Sequence, residues 1–271
     1  MEYRFIKVAG FVLRINFFYS MDNLGFEKGF ISKIDEYYQN FILNERQPQV
    51  DYIVDVRSED DFKVLINKRK EEIYINMYKT LEKRHIRTFY HLSGIQFQLI
   101  IRNITEELLA SVGGFVTHAS AVSANGKAFI FLGDSGAGKS TTMKTLSSAF
   151  KPLADDTVLI RMDGNKYYAY CSTAQEKNSW FMKSYKREDI AALCLVRKAK
   201  KTKIRKISSK QKVLDLISKQ FFLDQFRIQD QMKNLFAFIN CFDNFYYLDV
   251  LFEDRDNLEK VISELTYELQ D

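Results

Sequence analysis

The stretch FIFLGDSGAGKSTTMKTL, residues 129–146, sets the terms for reading this chain. Four apolar residues run into Gly133, Asp134, Ser135, Gly136, Ala137, Gly138, Lys139 and Ser140. That octet satisfies G-x-x-x-x-G-K-[ST] in full, between a strand-like run and a helix-like one. The glycines let the backbone curl so that its N–H groups point inward at phosphate oxygens. The helix that follows adds the positive end of its dipole. Lys139 offers a mobile positive charge to the outer phosphates and Ser140 a hydroxyl ligand for magnesium, and Thr141 is the last of the candidate cofactor-binding residues, which run from Gly133. The pattern predicts binding of a nucleoside triphosphate or a related phosphate.

The next informative segment is LADDTVLI, residues 153–160. Asp155 and Asp156 follow closely on the loop's helix and are expected to open a strand. Adjacent carboxylates repel, and a divalent cation relieves the repulsion. One could hold Mg²⁺ through water while the other accepts a proton from an attacking hydroxyl. The bland alternative is a turn and N-cap pair. His118 is expected in the strand before the hairpin, where it is either a packed core histidine or a group brought beside the loop.

Working outward, Asn125-Gly126 lies between two apolar runs and predicts a hairpin feeding the loop. Residues 1–105 look strand-rich, in runs such as YRFIKVAGFVLRINF, DYIVDV, FKVLINK, EEIYINMY and FQLIIRN. A loosely helical stretch, 27–43, interrupts them. NITEELLASVGGF (103–115) predicts a helix capped by Asn103 or Thr105 and ended by Gly113-Gly114. LSGIQ (92–96) resembles the signature of ABC-type ATPases, but it precedes the phosphate loop and sits in a strand-like run, so it is set aside as coincidence. GDSGAG resembles a serine-nucleophile turn, yet the chain has only three histidines and Lys139 explains the loop better. After the loop, a strand pair turns at Asp163-Gly164, DIAALCLVRKAKKTKIRKIS (189–208) predicts a buried strand passing into an exposed one, and 209–240 is helical. A strand over 244–253 and an amphipathic helix carrying Leu258, Val261, Ile262 and Leu265 follow. The expected organisation is a β-rich lobe over 1–105 and a nucleotide-binding catalytic domain over 106–271.

Composition narrows the class. The 271 residues are 46% hydrophobic and 28% charged, a globular profile. No apolar run is long enough to span a bilayer, and MEYRFIKVAGFVLRINFF predicts a strand pair rather than a signal peptide. The three cysteines fit neither a disulfide framework nor zinc spacing, which suits a cytoplasmic protein. Net charge is +5, with much of the excess in RKAKKTKIRK (197–206). That run is either a solvated face or a docking surface for an acidic partner. It carries no interleaved aromatic platform, so nucleic acid is not the expected partner. No membrane partner is expected, and a homo-oligomer is compatible with the sequence.

Taken together, THASAVSANGKAFIFLGDSGAGKSTTMKTL and PLADDTVLI resemble the C-terminal catalytic domain of bacterial HPr serine kinase/phosphorylase. The active core of that family is similar to phosphoenolpyruvate carboxykinase. The strong resemblance covers residues 116–160. It implies an α/β (α+β) phosphate-loop core and an ATP- and Mg²⁺-dependent kinase. His118 would contact the transferred phosphate, Gly133–Ser140 would hold the triphosphate, Ser140 and Asp155 the magnesium, and Asp156 would be the base for the acceptor hydroxyl. The family's second glycine-rich signature, with its Arg-Gly pair, has no counterpart, since Gly164 is the last glycine. Action on HPr itself, or as a phosphorylase, is therefore not implied. A closer likeness is to stand-alone HPr-kinase-like proteins of ribosomal peptide modification systems, which implies a peptide, protein or small-molecule hydroxyl as acceptor. The segment 171–189 is a candidate acceptor-side loop or an ordinary surface loop. A nucleotide-binding sensor with little transferase activity is the principal alternative. A carboxykinase-like enzyme is disfavoured, because no arginine cluster for a dicarboxylate lies near the motifs.

Overall fold

The structure is a computed structural model. It describes residues 1–19, 24–45, 47–58, 66–69, 72–173, 180–220 and 228–269. It divides into two compact units, Met1–Thr105 and a second beginning at Glu106.

The first unit opens with strands β1 (Glu2–Val8) and β2 (Phe11–Phe17), paired through a tight turn at Ala9-Gly10. Helix α1 (Leu24–Tyr38) follows, then β3 (Ile42–Leu43), β4 (Tyr52–Arg57), β5 (Ile66–Arg69), β6 (Glu72–Ile75), β7 (Tyr78–Glu82) and β8 (His85–Phe89). Six strands form a mixed sheet in the order β3-β1-β2-β4-β8-β7, while β5 and β6 pair separately. Helix α2 (Gly94–Ser111) comes next. Its residue Phe97 meets Phe30 and Tyr38 of α1 edge-on, with centroids 5.7 and 6.2 Å apart. Such contacts favour the positive ring edge over the negative face.

Helix α2 corrects two expectations. FQLIIRN is helix, not strand, and neither Asn103 nor Thr105 is a cap. Buried Phe97, Ile100, Ile101, Ile104 and Leu108 recur at helical spacing. The cap lies in LSGIQ, where Gln96 N–H donates to Ser93 Oγ (3.2 Å) and Ser93 N–H donates to Gln96 Oε1 (2.8 Å). This reciprocal S-x-x-Q pair is a capping box. Thr105 instead donates to Ile101 O, one turn back inside the helix. Gly113, at φ +76°, does end it.

The second unit holds β9 (Phe115–Thr117), β10 (Ser120–Ala124), β11 (Lys127–Leu132), α3 (Lys139–Leu146), β12 (Lys151–Ala154), β13 (Val158–Asp163), β14 (Lys166–Cys171), β15 (Arg187–Lys198), β16 (Lys203–Lys206), α4 (Lys210–Ile217), a 3₁₀ turn (Ser218–Gln220), α5 (Ile228–Cys241), β17 (Phe245–Val250) and α6 (Arg255–Glu268). Strands β10 and β11 form the expected hairpin, with Ala124 opposite Lys127. Asn125 and Gly126 both take positive φ, as a two-residue turn of this hand requires.

Strand β15 is the hub of the nine-stranded sheet. It runs parallel to β11 over Asp189–Leu195. It is antiparallel to β14 at Arg187–Asp189 and parallel to β17 from Leu193 on. One partner is exchanged for another partway along, and the sheet is mixed. Apolar residues of β11 are buried on both faces. Ile130 and Leu132 join Leu193, Leu195, Phe238 and Phe245 on one side, whereas Phe129 and Phe131 join Cys194, Val196, Leu258 and Ile262 on the other. A strand covered on both faces needs a continuous apolar run, and FIFL supplies it. The whole is a mixed α/β chain, as the sequence predicts.

Phe238 sits among Phe115, Tyr167, Phe242 and Phe245, with ring centroids 4.8–6.0 Å away. Phe238→Ala is expected to cost about 3–5 kcal/mol of unfolding free energy, read by chemical denaturation of the purified protein. All three cysteines are free, Cys171 and Cys194 in the core and Cys241 exposed. Burial pushes the Cys194 thiol up to about 12. Among the described residues, no helix is long and apolar enough to cross a membrane.

Candidate functional site

The glycine loop connects β11 to α3. Gly133, Gly136 and Gly138 all have positive φ. The turn closes through Ala137 N–H donating to Asp134 O (3.0 Å), and Thr142 N–H donates to Gly138 O (2.8 Å) to begin the helix. Gly138 has a second reason to be glycine. A Cβ there would stand 2.3 Å from the Phe252 ring, just beyond β17. Gly138→Ala is therefore expected to distort the loop, with a backbone cost of about 1–3 kcal/mol before the clash is counted, and to weaken binding of Mg-ATP if the loop holds that ligand. Calorimetric titration of the variant measures it.

Lys139 is buried, and its ammonium donates to Gly133 O at 2.7 Å. The side chain thus lies back along the loop. Burial pushes its pKa below the usual lysine range, against the opposing pull of Asp156, Asp134 and Asp155. Asp134, Ser135 and Gly136 are exposed at the tip, and Ser140 and Thr141 on the first helical turn.

The two aspartates do not open a strand directly after the loop's helix. Strand β12 intervenes, and the pair occupies the turn between β12 and β13. β12 pairs with β10, and this brings the turn back over the start of α3. There the carboxylates part company. Asp155 Oδ1 accepts from Ser140 Oγ (2.7 Å), Ser120 Oγ (2.7 Å) and the Asp156 N–H (3.1 Å). Asp156 has φ +67°, a left-handed conformation that Asp and Asn adopt more readily than most residues. His118 Nδ1 lies 3.0 Å from Asp156 Oδ1 and 2.9 Å from its carbonyl oxygen.

His118 is not inside a strand. It lies in the link where the chain leaves β9, which pairs with β13, and enters β10, which pairs with β11 and β12. Its N–H donates to Gln220 O at 2.8 Å. The predicted residues therefore gather into two pairs, Ser140 with Asp155 and His118 with Asp156, close to the loop. Ser120, Gln220 and Phe252 were not singled out from the sequence. Ser120 alone had a signal, as the serine in THASAV at the mouth of the hairpin.

Among the described residues, no group of three or more His, Cys, Asp or Glu could hold an ion. Asp155 and Ser140 offer two oxygens. Magnesium keeps several waters and commonly takes one or two protein ligands plus substrate phosphates, so the pair fits a metal that arrives with a nucleotide. The segment 171–189, the candidate acceptor loop, falls partly outside the described residues.

Fold and site define an α/β chain organised around a strand, a glycine loop and a helix, with an acidic turn folded back onto them. A family model described as SynChlorMet cassette protein ScmC matches residues 91–244, and the chain belongs to that family. No curated protein matches the sequence. Among solved structures, the Hpr(Ser) kinase/phosphatase from Coxiella burnetii is similar over 58% of this chain and 99% of its own, at 8% identity and a TM-score of 0.33. A likeness that weak says nothing about chemistry.

Proposed function

We propose that the chain is an ATP- and Mg²⁺-dependent kinase that transfers the γ-phosphate to a serine-type hydroxyl of a peptide, protein or small molecule. The observation that carries this reading is the separation of the aspartates, Asp155 with Ser140 and Asp156 with His118. Phosphoryl transfer needs little covalent chemistry from the protein but strict positioning and charge compensation. Gly133–Ser140 would cradle the triphosphate through backbone N–H groups, and Lys139 would swing from Gly133 O to the outer phosphates. Ser140 and Asp155 would hold magnesium, which when bound draws charge off the phosphate oxygens. Asp156 would take the acceptor proton as the new oxygen–phosphorus bond forms and the bond to the departing ADP oxygen breaks. His118 would orient Asp156. The first unit would contribute to acceptor recognition.

The test is transfer of label from γ-labelled ATP to synthetic serine peptides, with Mg²⁺ varied. Magnesium affinity without nucleotide should be weak. A second reading, a nucleotide sensor, is favoured by the absence of any glycine after Gly164. Tight Mg-ATP binding with no label transfer to any acceptor would establish it in place of the kinase.

A further inference from the structure

A cleft of about 390 Å³ lies against the glycine loop, lined by residues 133–137 of the loop, residues 195–198 at the end of β15, and Lys219, Gln220 and Tyr247. Three of its lining residues, Leu195, Arg197 and Tyr247, belong to a larger cross-strand cluster. Pairing of β15, β17 and β16 sets Arg197, Asp249 and Lys203 in one cross-strand row and Leu195, Tyr247 and Arg205 in the next. Asp249 is buried, and it is the only carboxylate among these six residues. Arg197 lies 2.6 Å from it, Arg205 3.3 Å and Lys203 3.9 Å. One buried negative charge thus faces three half-exposed cations, leaving excess positive charge at the surface. Lys198 and Lys219 line the same cleft and are exposed.

The cleft adjoins the two site pairs through Gln220. That residue lines it, its carbonyl receives the His118 N–H, and its amide reaches Asp134 Oδ1 at 3.4 Å. Gln220 is thus shared between the cleft and the backbone that holds His118. The one aromatic ring there, Tyr247, is attended by Arg197 at 4.1 Å, Lys212 at 5.5 Å and Arg205 at 5.8 Å. Cations already stand over this ring, where a stacked base of a single-stranded nucleic acid would have to lie.

We infer that this cleft docks an acidic segment of the acceptor polypeptide, with carboxylates on Arg197, Lys198 and Lys219, so that a neighbouring hydroxyl reaches the phosphate site. The inference rests on the kinase reading for its orientation but not for its measurement. The probe is a labelled oligoglutamate peptide carrying one serine, followed by fluorescence anisotropy. Wild-type protein should bind it, more weakly as salt rises, because exposed charges are screened. The double variant Lys198→Glu/Lys219→Glu should lose about tenfold or more in affinity, the size expected from reversing charges at a rim. An oligoglutamine peptide should bind poorly, and Mg-ATP affinity of the variant should match wild type.

Equal peptide affinity in the variant overturns the inference, as does equal binding of the uncharged peptide. Loss of Mg-ATP binding in the variant would assign the cleft to the nucleotide instead. Tighter binding of a single-stranded oligonucleotide, equally sensitive to the variant, would replace the acidic peptide with nucleic acid. Peptide binding without transfer leaves the dock standing and removes the kinase, whereas transfer to neutral and acidic serine peptides at equal efficiency does the reverse.

Discussion

Asp156→Asn is expected to slow phosphate transfer by about 10²–10⁴-fold while Mg-ATP affinity stays near wild type. The substitution isolates chemistry unusually well at this position. Asp156 occupies the left-handed region, at φ +67°, and asparagine tolerates that backbone, so the turn should survive. Its amide oxygen can still receive His118 Nδ1, which now meets Asp156 Oδ1 at 3.0 Å. What disappears is the ability to accept a proton. Because phosphoryl transfer depends chiefly on positioning, the loss should fall toward the lower end of the range. Asp155→Asn should behave differently. It removes the charge beside Ser140, so the magnesium requirement rises and excess Mg²⁺ partly restores the rate. Titrating Mg²⁺ against initial rate for both variants separates the roles. Identical metal dependence in the two would show that the aspartates do not divide the work.

On the kinase reading, Lys139→Met is expected to abolish transfer and to lack the rise in melting temperature that Mg-ATP should give the wild type. Without nucleotide, the same variant should be at least as stable as the wild type. The reason is the sign of the lysine's shift. Burial lowers its pKa in the folded chain, so the folded state binds the proton less well than the unfolded state does. The charged side chain therefore costs stability below the lowered pKa, and that cost fades as pH rises toward the ordinary lysine value. Removing it relieves the cost, offset in part by losing the bond to Gly133 O at 2.7 Å. Thermal melts with and without Mg-ATP at neutral and alkaline pH measure both arms. An unchanged Mg-ATP shift in the variant would mean that the glycine loop is not the nucleotide site.

Local sequence determined the elements whose signals lie within a few residues. FIFL ahead of the glycines had to be a strand buried on both faces, Asn125-Gly126 a two-residue hairpin turn, and Lys139 onward a helix. The residue types of the loop carried its chemistry with them. The capping box at Ser93 and Gln96 was equally local, yet a run of isoleucines that suits strand and helix alike obscured it. Other features depend on pairings between residues far apart in the chain. No spacing in LADDTVLI says that Asp155 meets Ser140 while Asp156 meets His118. The β10–β12 pairing and the left-handed turn at Asp156 decide it. Ser120 and Gln220 enter the site only because the chain changes partners at His118 and the 3₁₀ turn passes beside it. The basic run at 197–206 could have been a solvated face. It gathers around Asp249 beside the loop because β17 lies between β15 and β16, and register across three strands is a property of the folded sheet that no single segment contains.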